Sequence, residues 1–132
     1  MVMNIGQFKE KNYVAVADDI AAVVNASVPS GVKVIFETCM LNENETIDAC
    51  ILSVLSGATF VKTSTGFNTG GATPEAIDIM LATVGHSAQV KVSGGVRDYP
   101  TAMKFLKVGV ERIGTSSGIG IVNGGTPTGS GY

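Results

Sequence analysis

The chain of 132 residues is short of charge, short of cysteine and free of any long apolar run. Charged residues make up 15% and the net charge is −2, so no electrostatic ground exists for nucleic-acid or membrane-surface binding. The longest apolar stretches fall far below a membrane span, and no basic-then-apolar signal segment opens the chain. Two cysteines, Cys39 and Cys50, lack a metal or redox spacing and are too few for a disulfide scaffold. They read as reduced core or near-core thiols, which points to the cytoplasm. No G-x-G-x-x-G fingerprint follows the first strand, which argues against an open nucleotide-binding module.

What is present is apolar residues, at 45%, and seventeen glycines. A mean hydropathy of +0.32 suits a sheet buried on both faces, and the length allows one domain. Most glycines follow apolar runs, where loops build sites.

The runs alternate with helical segments. Met1–Ile5 reads as the tail of a strand, followed by a helix over about Tyr13–Ala26. A strand is predicted at Val32–Thr38, then a helix from Glu43 to Ser56 with Ile47, Ile51, Leu52 and Leu55 along one side. Ala58–Lys62 is the next strand. Thr73-Pro74-Glu75 is a helix start, with Thr as cap and Pro in the first turn. Ile77, Met80, Leu81 and Val84 form that helix's buried stripe, and Gly85 ends it. Strand Gln89–Ser93 precedes a helix capped by Asp98, with Ala102, Phe105 and Leu106 inward and Gly109 as its stop. Val110–Thr115 is the last strand, and a glycine-rich tail follows. Such alternation implies a parallel sheet of about five strands, with function on the loops after their carboxyl ends. Periodicity leaves an open flavodoxin-like sheet and part of a barrel equally possible.

Two of those loops stand out. Lys62 and Lys91 each close an apolar run and each precedes a glycine- and hydroxyl-rich turn, ATFVK-TSTGFNTGG and QVK-VSGGVRD. A lysine at a buried strand end costs stability, because burial opposes its charge. Two at one mouth of one sheet each ease the other's deprotonation, as an amine nucleophile needs near neutral pH. Glycine pairs and serine pairs at Gly94-Gly95 and Ser116-Ser117 suit a phosphate, which backbone N–H groups approach closely and hydroxyls bind. Either pair alone is equally a turn. Arg97 is a candidate phosphate ligand, with an ion pair at the mouth the preferred expectation. His86 lies at the opposite end from the lysines and receives no catalytic role, while Asp48 and Asp78 read as solvated helix residues.

The ordered motifs KTSTGF (Lys62–Phe67), KVSGGVRD (Lys91–Asp98) and RIGTSSG (Arg112–Gly118) resemble those of deoxyribose-phosphate aldolase. MVMNIG at the start, VKVIFET in the middle and GGAT at Gly70–Thr73 agree with that family. The resemblance runs from Met1 to about Ile121. It implies an α/β fold that is a partial (β/α)8 TIM barrel, its second half, strands four to eight in a parallel sheet. Residues 1–121 would form that half-barrel and 122–132 a flexible tail.

The resemblance also implies a reaction: reversible cleavage of 2-deoxyribose 5-phosphate to acetaldehyde and glyceraldehyde 3-phosphate, with no metal or organic cofactor. Lys62 would form the Schiff base, Lys91 would lower its pKa and assist proton transfer, and Lys33 would make polar contacts around the reacting centre. Gly94, Gly95, Ser116 and Ser117 would hold the phosphate, with Gly66 and Gly114 supplying backbone at the same rim. Thr63 and Thr65 are candidates for bonding substrate hydroxyls or a water, or for strand-end structure. Tyr132 matches the C-terminal proton carrier of some members, on a tail that reads equally as disorder. The family's catalytic aspartate would fall one residue before Met1. The expectation is therefore a fragment, or a half-barrel that pairs, with homodimerisation favoured by its sheet edges. The partners expected are a phosphorylated sugar and acetaldehyde, with no nucleic acid and no membrane.

Overall fold

The computed structural model describes residues 1–124; residues 125–132, Tyr132 among them, lie outside the described residues. Four strands, β1 (Lys33–Ile35), β2 (Phe60–Lys62), β3 (Gln89–Ser93) and β4 (Arg112–Gly114), form one sheet in sequential order. All three pairings are parallel, as the alternation implied. The fifth expected strand, at the amino end, is reduced to a bridge: Val2 pairs with Ile35, with Met3 N–H donating to Ile35 O at 2.9 Å and Ile35 N–H to Met1 O at 2.9 Å. Pairing stops there because Asn4 caps a short helix, α1 (Ile5–Lys9), its side chain accepting from Gln7 N–H.

The longer helices are α2 (Tyr13–Ser27), α3 (Glu43–Leu55), α4 (Pro74–Val84) and α5 (Tyr99–Lys107), with a last short helix, α6, at Gly118–Val122. Their starts follow the chemistry of their caps. Thr73 accepts from Ala76 N–H at 3.2 Å and Asp98 from Thr101 N–H at 2.8 Å. Asn42 and Glu45 form a reciprocal capping box at the start of α3 that the sequence reading did not single out. The final helix crosses the expected boundary at residue 122, and a turn carries the chain to Gly124.

Along the strands Val34, Val61, Val90 and Val92 are fully buried and pack with Ile20, Ala49, Ile77 and Met80 in one core. Two expected helix faces are corrected. On α3 the buried residues are Thr46, Ala49, Cys50 and Ser53, whereas Ile51 is exposed and Leu55 is 79% exposed. The fully buried set keeps the helical spacing but lies one step round the helix, where α3 packs closely against α2 and α4; Leu52, as expected, is partly buried against the core. On α5, Ala102 and Phe105 are buried but Leu106 faces outward. Asp48 is also not simply solvated, since it accepts from the Tyr13 hydroxyl at 3.2 Å, joining α3 to α2. Cys50 is buried as expected, and Cys39 is exposed, against expectation.

Candidate active site

Strand alternation turns the valines toward the helices and leaves Lys33, Lys62 and Lys91 on the other face of the sheet. Lys62 and Lys91 are register partners, and Arg112 on β4 continues the row beyond Lys91. Lys33 stands opposite Phe60, and its Nζ lies 4.9 Å from that ring's centroid. The Arg112 guanidinium carbon lies 4.8 Å from the same centroid. Phe60 is thereby kept dry beneath two cations, an arrangement that favours both partners. Lys33, Lys62 and Lys91 all line one open cleft of about 360 Å³, together with Met1, Ile35 and residues of the α2–β1 connection.

Burial, then the Lys91 charge, pull the Lys62 amine below the ordinary lysine range; Lys33 adds to this, and Glu37 opposes it. Glu37 is the site residue that sequence reasoning missed. It is 5% exposed, just past β1, and its carboxylate accepts from the Thr65 N–H at 3.2 Å and the Thr65 hydroxyl at 2.6 Å. The signal was available: an acid closing the apolar run VKVIFE carries the same burial cost that drew attention to the lysines. Thr38, expected within the strand, lies in a 3-10 turn over Thr38–Met40 because Glu37 adopts a left-handed backbone.

The two threonines after Lys62 have protein partners. Thr63 is fully buried, and its hydroxyl donates to Ser93 O and accepts from Ser93 N–H, both at 3.1 Å. It cross-links β2 to β3 on the face away from the lysines, which matches the structural alternative for this strand-end threonine. Thr65 meets Glu37 and accepts from Phe67 N–H at 3.2 Å.

The candidate phosphate residues gather on the loops after β3 and β4. Thr115 donates to Val96 O at 2.6 Å and accepts from Ser117 N–H at 3.0 Å, which ties the Gly94-Gly95 loop to the Ser116-Ser117 loop. The two glycines differ. Gly95, at φ 86°, has open space where a Cβ would be. Gly94 is packed: a Cβ on Gly71 would come within 2.6 Å of its carbonyl oxygen, which accepts from Ala72 N–H at 3.1 Å. Gly114 makes room for Lys91, whose Cε would lie 3.2 Å from any Cβ there. Gly66 takes φ 96° in the turn that follows Thr65. Arg97 is exposed, and among the described residues it forms no ion pair, contrary to expectation. His86 is exposed in the turn before β3, at the end opposite the site. Among the described residues no group of three or more acidic, histidine or cysteine side chains could hold a metal.

A parallel α/β sheet of four strands in sequential order, with Lys62 and Lys91 paired on one face, is consistent with part of a (β/α)8 barrel. Comparison with known proteins narrows this. No family model matches the chain. The whole chain is 54% identical over 132 residues to the deoxyribose-phosphate aldolase of Brevibacillus brevis, covering 60% of that protein. Among solved structures, the aldolase QR15 superposes with a TM-score of 0.88 at 38% identity, over 92% of this chain and 55% of QR15. The tetrameric deoxyribose phosphate aldolase of Aeropyrum pernix gives 0.77 at 30% identity, over 84% of this chain and 49% of that one. Along its whole length the chain is similar to deoxyribose-phosphate aldolases, consistent with the C-terminal half of their barrel, and it spans about half of those relatives, 49–60% of their length.

Proposed function

We propose that this chain carries the catalytic lysines of a class I aldolase that reversibly cleaves 2-deoxy-D-ribose 5-phosphate to acetaldehyde and D-glyceraldehyde 3-phosphate. The observation that carries the reading is the register pairing of Lys62 with Lys91, together with a Lys62 amine held below the ordinary lysine range by burial and by Lys91. A shift in that direction raises the neutral fraction of the amine, the form that adds to an aldehyde. Lys62 attacks C1 of the sugar, and loss of water gives the imine. As the C2–C3 bond breaks, its electron pair moves into the imine to give an enamine. The C3 hydroxyl gives up its proton and becomes the aldehyde of glyceraldehyde 3-phosphate. The enamine takes a proton at C2, and hydrolysis frees acetaldehyde and restores the amine. Lys91 shuttles protons beside Lys62, and Lys33 steadies the polar centre.

The phosphate is held on the loops after β3 and β4 by Gly95, Ser116 and Ser117, with Gly94, Gly66 and Gly114 shaping the backbone rim. No cofactor is required. The protein works in the cytoplasm on deoxyribonucleotide breakdown and assembles as a homo-oligomer. No helix among the described residues is long and apolar enough to cross a membrane.

A second reading is a half-barrel that binds phosphate esters, or pairs with a partner, without turnover. The 60% coverage of the Brevibacillus brevis protein is consistent with it. Acetaldehyde with borohydride tests the first reading: a reduced adduct mapped to Lys62 by mass spectrometry is expected, and an adduct elsewhere or none would overturn it. An aldol assay on the same chain, with an adduct but no turnover, would select the second.

A further inference from the structure

Glu37 is the one charged side chain among the described residues that the fold buries. It sits just past β1 on a left-handed backbone, φ 55° and ψ 62°, which residues bearing a Cβ seldom adopt. Both features oppose folding, and ending a strand requires neither. The geometry shows what they hold. Lys62 O accepts from Phe36 N–H at 3.0 Å, Thr63 O accepts from Thr38 N–H at 2.9 Å, and the Glu37 carboxylate takes both donors of Thr65. The exit of β1 thus grips the segment from Lys62 to Thr65 at three successive points. The last grip is the only charged one.

We propose that Glu37 is a positioning residue for Lys62, fixing the loop after β2 through Thr65 and placing a negative charge beside an otherwise cationic cluster. The inference rests on Lys62 being the reacting amine. Lys33 and Lys91 favour the neutral amine, which starts the reaction, but the form that withdraws electrons from the breaking bond is a protonated, cationic imine. A nearby carboxylate stabilises that cation. It also keeps the amine from being driven too far from its ordinary range, the direction in which Glu37 acts on Lys62.

The test separates this role from the aldolase reading. Competitive acetylation with acetic anhydride across a pH series, read peptide by peptide in the mass spectrometer, gives the Lys62 midpoint with no aldehyde present. Glu37→Gln is expected to lower that midpoint by about one pH unit. Thr65→Val, which removes a donor and leaves the charge, is expected to speed amide hydrogen exchange over residues 65–67 by about tenfold. A midpoint unmoved or raised in Glu37→Gln overturns the proposal. If that variant does not fold, unchanged exchange in Thr65→Val overturns it instead. A wild-type chain that forms no acetaldehyde adduct at Lys62, while Glu37→Gln still lowers the midpoint, removes the aldolase reading and leaves the positioning role standing.

Discussion

Lys62 and Lys91 stand directly opposite each other on neighbouring parallel strands, and nothing but the strand spacing separates their backbones. Burial disfavours protonation of Lys62, and the Lys91 charge works in the same direction. Lys91 is in turn held against Gly114, where a side chain would crowd its Cε.

Removing the second amine should make the first a poorer nucleophile. In Lys91→Met the Lys62 midpoint is expected to rise toward the ordinary lysine value, and adduct formation with acetaldehyde at pH 7 to fall about three- to tenfold. Adduct yield against pH checks this. An unchanged profile would show that the neighbouring charge is screened.

The same pair sets a pH dependence of stability. Lys62 releases its proton at lower pH in the fold than in the unfolded chain, so the unfolded state binds more protons between those two midpoints. This part of the stability is absent below the folded midpoint and grows as pH rises toward the ordinary lysine value. Lys62→Met should remove that slope and raise the thermal midpoint near neutral pH. Melting curves of both proteins, compared from pH 7 to about pH 10, give the answer as a difference.

Glycines with and without room should behave in opposite ways. Gly71→Ala drives a methyl into the Gly94 peptide and is expected to cost about 1–3 kcal/mol. Gly6→Ala, in the first turn of α1 with only Asn4 nearby, is expected to be neutral or to stabilise by up to about 1 kcal/mol. Urea unfolding distinguishes them, and equal effects would refute the packing argument.

The thiols should differ sharply in reactivity. Burial pushes the Cys50 thiol up to about 12, and Cys39 is exposed. Iodoacetamide at pH 8 is expected to label Cys39 alone, with Cys50 reacting only in denaturant. Peptide mapping before and after unfolding decides the matter.

The parallel sheet, the caps at Thr73 and Asp98 and the paired lysines were all legible, because each follows from local chemistry in a short window. The inward face of α3 was not. Hydrophobicity picks out Ile51 and Leu55, whereas close packing between α2 and α4 selects Ala49, Cys50 and Ser53. That choice depends on neighbours distant in sequence. Thr63 was left open between substrate contact and strand-end structure, and only the fold shows that alternation sends its hydroxyl to Ser93. Glu37 was overlooked because the strand was expected to run through it; the acid at the end of VKVIFE was a visible signal, but the left-handed turn that aims its carboxylate at Thr65 was not.

Gly70 leaves no gap against Cys39, and Gly71 none against Gly94, so the connections following β1, β2 and β3 interlock like teeth. Lengthening any one of them would dislodge the other two. Change in the cleft must then come through the side chains that line it, such as Lys33 or Ile35, with the rim inherited as a single casting.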